Sequence, residues 1–414
     1  MPAQLGDAAW LKDGEVARLL AVLNRDGEEA RVVGGAVRNT LLRLPVAEID
    51  VATTAVPDEV VQRVQTAGWK AVPTGIEHGT MTVVIDNHPF EVTTLREDIE
   101  TFGRRARVKF GRDWRADAER RDFTINALSA AADGTVFDYV DGLRDIVMHR
   151  VRFIGDPQQR IAEDYLRILR FFRFHAYFAD GPLDAAGLLA SIRARAGLDT
   201  LSRERVRMEL LKLFVAPRAA ATLAVMAEGG ILGPVLGGVP QIADFARMVE
   251  IETALGVDPD AVRRLGALAV MVSEDAERLS QRLRLANAES ERLMALEPWW
   301  RVSPADGGQT ERALLYHVGP QSFTDRVLLA WARSRAATSD AAWRALAGLP
   351  QRWIAPAFPL KAADFIRRGV AAGPALGAAM RAAKAAWITA DFPADRPTIE
   401  AIAERAVQAA TADG

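Results

Sequence analysis

The chain has 414 residues, 50% of them apolar and 26% charged, the composition of an ordinary globular protein with room for two to four domains. It contains no cysteine, which excludes disulfides and zinc–thiolate sites and fits a reducing compartment. The formal net charge is -2, yet residues 101–218 hold 22 Lys/Arg against 16 Asp/Glu, so a local +6 is set in a remainder of -8; this suits either a polyanion-binding central region or a solvated charged surface.

The N-terminus, MPAQLGDAAWLKDGEV, has neither a basic n-region nor an apolar h-region, so no signal peptide is expected. No apolar run approaches the roughly 18–20 residues of a membrane span, and the expected address is the cytoplasm. Residues 8–24 space their apolar side chains as a helix does. ARVVGG (30–35) reads as a short strand running into a glycine turn, and AVRNTLLRL as a helix ended by Pro45. VAEIDVAT (46–53) is rich in β-branched residues and reads as a strand. Pro57-Asp58-Glu59 opens a helix that Gly68 closes. MTVVID (81–86) and FEVTTLR (90–96), joined by Asn87-His88-Pro89, predict a hairpin. Strand signals end near residue 155. RIAEDYLRILRFFRF, LSRERVRMELLKLF and the alanine-rich stretches beyond 219 read as helices, with breaks at Pro217, GGILGPVLGGVP (229–240) and WRVSPADGGQ (300–309).

Side chains alternate across a strand, so a strand over 46–53 puts Glu48 and Asp50 on one face. Two such carboxylates need either a wet face or a cation. Oxygen ligands without His or Cys nearby suit Mg²⁺, which takes one or two carboxylates and completes its shell with water and substrate phosphates. Glu91, centred on FEVTTLR, is a third acid that an adjacent strand brings beside Asp50. Acids so arranged can hold two metal ions that clamp the attacking and leaving oxygens of phosphoryl transfer. Upstream, Gly34-Gly35 joins a strand to a helix, where backbone amides can approach a triphosphate. Arg38 in the first turn offers a phosphate fork. The plainer alternative for the acids is a solvated edge-strand face.

Together, VVGGAVRNTLLRLPVAEIDVATTA resembles the signature of the DNA polymerase beta nucleotidyltransferase superfamily. PTGIEHGTMTVVI with FEVTTLR (73–96), RRDFTINAL (120–128), DYVDGLRDI (138–146), FIGDPQQRIAEDYLRILRFFRF (153–174) and LSRERVRMELLKLF (201–214) narrow the resemblance to the class II tRNA nucleotidyltransferase (CCA-adding) and bacterial poly(A) polymerase family. It covers about residues 10–215. The resemblance implies that Glu48 and Asp50 are the metal-ligand pair and Glu91 the third carboxylate. It also implies that Arg121, Asp122 and Asn126 of RRDFTINAL contact phosphate and ribose, and that Gly103 to Arg112 is the family's mobile, phosphate-facing loop. Two positions depart from the family pattern. Glu48 stands where aspartate is usual, which moves the carboxylate by about 1 Å, and Asn39 stands where the family has an aspartate after GG-x-V-R.

On a continuous helix Asp164 and Arg167 are neighbours three residues apart. As a surface pair they make a salt bridge; as a site they offer one acceptor and one donor. Cytosine and adenine show an amino donor beside a ring-nitrogen acceptor, whereas guanine and uracil show a carbonyl beside an N–H. The pair therefore matches C and A and leaves G and U with unpaired buried groups. The resemblance assigns base selection to the same block, at Glu163, Asp164 and Arg167. Arg170, one turn on, is a candidate for triphosphate oxygens. The five histidines (78, 88, 149, 175, 317) form no metal or H-D pattern and read as structural or surface residues. Trp299-Trp300 with Arg301 reads as a core anchor or a stacking platform for RNA.

The expected fold is an α+β head, a small mixed sheet with helices in the nucleotidyltransferase fold, followed by an all-α neck, body and tail. The expected domains are a catalytic head (1–150), a neck with the nucleobase-selecting pocket (151–218) and a body and tail binding tRNA (219–414). The function the resemblance implies is Mg²⁺-dependent addition of C, C and A from CTP and ATP to the tRNA 3′ end, with release of pyrophosphate. Poly(A) polymerase, A-adding or CC-adding activity is the first alternative. A non-catalytic RNA-binding protein with a degenerate head is the second. No membrane partner and no particular oligomeric state are implied.

Overall fold

Gly34, at φ 69°, turns the chain out of the first strand and into the helix that follows, at one end of the sheet. The structure, a computed structural model, describes residues 1–414 apart from 1–2, 7, 13, 76–78, 103–104, 305–307 and 413–414. Among the described residues the chain forms two compact units, Met1–Gly237 and Gly238–Gly414.

In the first unit, α1 (Ala9–Lys12) and α2 (Glu15–Leu23) replace the single helix expected over 8–24. Gly14, at φ 91°, turns the chain between them. There follow β1 (Ala30–Val33), α3 (Gly35–Leu41), β2 (Asp50–Thr53), α4 (Pro57–Thr66), β3 (Lys70–Gly75), β4 (Thr80–Ile85) and β5 (His88–Thr94). The strands β6 (Arg96–Phe102) and β7 (Arg105–Phe110) pair only with each other. So the segment expected as a mobile loop is largely a paired ribbon; Gly103 and Arg104 lie outside the described residues, as does His78. After α5 (Trp114–Glu119) come a 3₁₀ turn (Thr124–Asn126), β8 (Ser129–Ala130) and β9 (Val136–Phe137). Seven strands form one mixed sheet in the order β3-β4-β5-β2-β1-β8-β9. Strands β2 and β5 run parallel, and the other pairs are antiparallel.

Two strand expectations need correction. The strand expected over 46–53 begins at Asp50, the register partner of Val33, the last residue of β1; residues 46–49 therefore have no β1 partner, although β5 reaches back to His88 on the other side. Glu48 therefore lies in the segment leading into β2. The β4–β5 hairpin turns at Asp86-Asn87, both in the left-handed region (φ 48° and 68°), which is the geometry a two-residue hairpin turn needs. His88 and Pro89 already belong to β5.

The helices of the first unit continue as α6 (Gly142–Val147), α7 (Pro157–Glu163), α8 (Leu166–Phe178), α9 (Ala185–Arg193), α10 (Arg203–Phe214), α11 (Ala219–Glu228) and α12 (Leu232–Leu236). A cluster of buried rings ties head and neck sequences together. Phe123 and Phe153 lie 4.9 Å apart, Phe153 stacks on Phe171 of α8 at 5.2 Å, and Phe174 reaches Phe123 at 5.3 Å. Gly187 of α9 has no side chain because a Cβ there would come within 2.9 Å of the Phe171 ring. The stretches expected as head and neck thus share one core.

All the regular elements described in the second unit are helices. Its interior holds a lattice of fully paired charges: Glu252 accepts from Arg263 Nε (2.7 Å) and Arg264 Nε (2.6 Å), and Asp325 accepts from Arg292 Nε at 2.5 Å. A second apolar cluster gathers Phe365, Trp387, Phe392, Ile402 and Ala403. Trp299 is partly buried with Arg333 over its ring at 4.5 Å, while Trp300 is 49% exposed. Among the described residues no helix is long and apolar enough to cross a membrane.

Candidate active site

Parallel pairing of β2 with β5 puts Asp50 opposite Glu91 in register, and antiparallel pairing of β2 with β1 puts Asp50 opposite Val33. The Gly34-Gly35 turn follows Val33 directly, so the turn and the two acids share one end of the sheet. Glu48, Asp50 and Glu91 line a cleft of about 580 Å³, with Glu15, His88 and Thr82 among its other walls. The exposed His88 pairs with Glu15 across 3.2 Å at the rim.

The electrostatics of this cleft are unbalanced. Among the described residues, Glu48, Asp50 and Glu91 make no ion pair with Lys, Arg or His. Asp50 is open to solvent on its cleft side, yet the surrounding protein displaces much of its water. Burial first, then the charges of Glu91 and Glu48, push its carboxyl above the usual range, against a smaller pull from Arg121. No three-ligand cage closes among the described residues. The donor set is nonetheless that of a hard divalent cation: oxygen-only, anionic, uncompensated and open to water.

The other candidate residues are paired to one another. Arg38 is buried rather than presented as a phosphate fork. Its guanidinium lies over the Phe178 ring at 4.0 Å and donates to Asn39 Oδ1 from Nε (3.1 Å) and Nη2 (2.9 Å), and to Asn126. Burial, reinforced by Arg173, pulls its pKa down to about 10. Asn39, besides accepting from Arg38, donates its amide to the Pro45 carbonyl at 2.9 Å. It thereby ties α3 to the segment that carries Glu48. Gly34 adopts φ 69°, ψ -117°, a conformation for glycine alone, and its own amide is bonded to the Leu128 carbonyl at 2.9 Å. A Cβ on Gly34 would stand 3.4 Å from Arg121 Nη1, so Arg121 lies beside the turn.

Asp122 accepts from Arg170 Nε (2.7 Å), Asn126 Nδ2 (3.2 Å) and the Phe123 amide (2.8 Å). Burial alone would raise its carboxyl, but the Arg170 charge and these hydrogen bonds hold it below the usual range. Arg170 also approaches Glu209 of α10 at 3.8 Å.

The side chains of the expected helical neighbours Asp164 and Arg167 make no hydrogen bond or ion pair with each other; only the Arg167 amide reaches the Asp164 carbonyl, at 3.0 Å. Asp164 has extended backbone (φ -157°, ψ 108°) and separates α7 from α8, so the side-chain pairing of a continuous helix is absent. Its carboxylate accepts from Arg205 Nη1 (3.2 Å) and Nη2 (2.6 Å). Arg167 instead donates to the Arg160 carbonyl (2.8 Å) and to Glu163. Glu163, Asp164, Tyr165, Ser202 and Arg205 line a cavity of about 410 Å³.

Two members of this constellation were missed from the sequence, Arg205 without a local signal and Asp117 despite one. Arg205 lies 41 residues from Asp164. Asp117, buried on α5, accepts from Arg120 Nε (2.8 Å) and Arg121 Nη2 (3.1 Å) and thereby aims Arg121 at the glycine turn. Its i,i+3 and i,i+4 spacing to those arginines was the available clue.

Residues 30–152 match the family described as "Poly A polymerase head domain", and residues 187–245 match "Probable RNA and SrmB- binding site of polymerase A". A CCA-adding enzyme of Limosilactobacillus fermentum is 32% identical over 368 residues, covering 86% of this chain and 88% of the relative. The mitochondrial CCA tRNA nucleotidyltransferase 1 of Danio rerio is 39% identical over 280 residues, covering 67% of this chain and 64% of the relative. The matched stretch thus spans under two thirds of that relative's length. The crystal structure of the Bacillus stearothermophilus CCA-adding enzyme in complex with CTP superposes at a TM-score of 0.75, with 26% identity, 94% of this chain and 96% of that one.

Proposed function

The chain belongs to the CCA-adding enzyme family of nucleotidyltransferases, and from that membership we propose that it adds C, C and A to the tRNA 3′ end without a template, from CTP and ATP. The observation that carries this reading is the cleft of three acids without a cationic partner, beside a glycine turn at the end of the sheet. Mg²⁺ held by Glu48 and Asp50, with Glu91 beside them, would supply Lewis-acid activation of the RNA 3′-hydroxyl and charge neutralisation on the triphosphate. The chain's own part is positioning. Arg121, aimed by Asp117, binds phosphate next to Gly34-Gly35, while Arg170 and Asp122 fix the neck helix against the head. Asp164 and Arg167 read the Watson–Crick edge of the incoming base at the α7–α8 break. The hydroxyl attacks the α-phosphorus in line and pyrophosphate departs, with the barrier lowered mainly by orientation and electrostatics.

CTP bound to the Bacillus relative supports the nucleotide assignment, and the similarity of residues 187–245 to a probable RNA-binding site supports tRNA contact by the end of the neck and the start of the body. The head, neck and body roles assigned to 1–150, 151–218 and 219–414 follow the same reading. The cytoplasm, a reducing compartment that suits a chain without cysteine, is the proposed address.

The test offers Mg²⁺, CTP and ATP to tRNA lacking its last three, two or one nucleotides, and to an unrelated RNA. Addition of C-C-A that stops, on tRNA alone, supports the proposal. Long A-tails on any RNA would make the protein a poly(A) polymerase, a stop after CC or addition of A alone would mark a narrower enzyme, and no incorporation under any condition would mark a degenerate head.

A further inference from the structure

An amide side chain accepts at one end and donates at the other, and Asn39 does both. Its Oδ1 accepts from Arg38 Nε at 3.1 Å and Nη2 at 2.9 Å, and its Nδ2 donates to the Pro45 carbonyl at 2.9 Å. A guanidinium only donates and a carbonyl only accepts, so the amide fits only this way round. We infer that Asn39 is a positioning residue for the metal pair: it holds the segment 45–48 back against α3, and the length of Glu48 makes up the distance that this hold sets. The inference deepens the proposed function and rests on Glu48 and Asp50 as the ligands of the divalent ion.

The hold is stiff at both ends. Arg38 is buried, donates to Asn126 and lies over the Phe178 ring at 4.0 Å. The Leu44 amide bonds to the Asn39 carbonyl at 2.8 Å, so the backbone and side chain of one residue grip two successive peptides. Pro45 has a fixed φ and restricts Leu44 before it. Only Val46 and Ala47 separate this anchor from Glu48. The sheet ladder does not place Glu48, because β2 starts at Asp50.

Both acids line the same cleft, Asp50 from a strand and Glu48 from a backbone retained by α3. One methylene moves a carboxylate by about 1 Å. That step decides whether an oxygen enters a coordination shell of about 2.0–2.1 Å. An aspartate at 39 would still accept from Arg38 but would set an oxygen against the Pro45 carbonyl, so the segment would be repelled instead of held. Asn39 and Glu48, the two positions that depart from the family pattern, thus share one physical reason.

The experiment measures Mn²⁺ affinity by electron paramagnetic resonance in the substrate-free full-length protein, and kcat/KM for CTP with Mg²⁺ on tRNA lacking its last three nucleotides. The proteins are the parent, Asn39→Asp, Asn39→Ala, Glu48→Asp and the two double variants. A residue that orients a metal ligand is worth about tenfold in metal affinity, so each single variant should bind Mn²⁺ about tenfold more weakly, with kcat/KM falling alongside. Coupling shows as non-additivity: Glu48→Asp should cost about tenfold in the parent but about threefold or less where Asn39 is already replaced. The same large cost of Glu48→Asp in every background overturns the inference and leaves the proposed function standing, as do Asn39 variants with parent-like affinity. Coupling confined to Asn39→Asp, with Asn39→Ala folded, also overturns it, since the added charge would then be the cause. Should one Asn39 variant fail to fold, the other decides. A parent that binds Mn²⁺ but adds no nucleotide refutes the proposed function, and the affinities alone then test the inference. A parent that binds no Mn²⁺ refutes the inference itself.

Discussion

Replacing Asp122 with alanine separates two roles this residue can have. As a ligand for ribose or phosphate it would be free to exchange partners, whereas the structure holds it as a clamp. Its carboxylate is buried and accepts from Arg170 Nε at 2.7 Å and Nη2 at 2.6 Å, from Asn126 Nδ2 at 3.2 Å and from the Phe123 amide at 2.8 Å. Breaking a buried pair by removing one partner costs about 3–5 kcal/mol. The lower end applies here, because the Arg170 side chain keeps 32% exposure and retains Glu209 at 3.8 Å. In a unit of this size each kcal/mol lowers Tm by roughly 2–4 °C, so Asp122→Ala should melt about 6–12 °C below the parent. Calorimetry or circular dichroism on the full chain, following the first transition, measures it. A shift under about 2 °C, together with a raised KM for CTP, would refute the clamp and return Asp122 to direct nucleotide contact.

His175 is buried, and desolvation, helped by the Arg218 charge, lowers its pKa from 6.5 to about 4. The unfolded chain therefore binds a proton that the folded chain refuses, and stability present above pH 6.5 is lost as pH falls towards 4. At about 1.4 kcal/mol per unit the loss reaches on the order of 3 kcal/mol by pH 4, and acid melts of His175→Gln should show a flatter slope in that window. Asp50 carries the opposite sign. Its carboxyl is raised by burial and by Glu91 and Glu48, so the metal-free fold is favoured below that value and strained above it. At pH 7 without metal, Asp50→Asn should therefore melt above the parent, yet bind Mn²⁺ more weakly and incorporate no nucleotide; a lower Tm would contradict the unbalanced cleft. A Cβ on Gly197 would fall 2.1 Å from the Tyr165 ring, which lines the cavity beside Asp164. Gly197→Ala should displace that ring, costing about 1–3 kcal/mol and raising KM for both CTP and ATP, as steady-state kinetics would show.

Much of the sheet was legible because its signals are local. Strand β1 and the parallel partner strands carry β-branched runs, the glycine turn is written in Gly34-Gly35, and Glu91 falls beside Asp50 as the strand order requires. What was not legible depends on partners distant in sequence. The Asp164 break contains no glycine or proline, so helical periodicity runs straight through it. The extended residue is held by Arg205, whose approach only the packing of α10 against α8 creates. Arg38 reads as an exposed cation until α8 brings Phe174 and Phe178 under it, 136 and 140 residues later. Glu48 misled in a third way. Its β-branched neighbours have strand propensity, but β1 ends at Val33 opposite Asp50, and propensity alone does not continue the strand once that partner is gone.

The contrast between paired and unpaired charge is the most informative feature of the first unit. Arg38 with Asn126, Asn126 with Asp122, Asp122 with Arg170, Asp117 with Arg121 and Asp164 with Arg205 form a connected or neighbouring set of satisfied contacts. Satisfied contacts fix geometry, and a residue whose own rotamer is held by such partners can orient a phosphate or a base without first being ordered itself. The three acids of the cleft are arranged on the opposite principle. They are set on adjoining backbone segments with no cation supplied, so their mutual repulsion persists until a positive ion arrives. A fold that pairs the carboxylates of Asp117, Asp122 and Asp164 but leaves these three uncompensated carries a local charge imbalance that a bound cation would relieve, while the paired residues around it keep a fixed geometry.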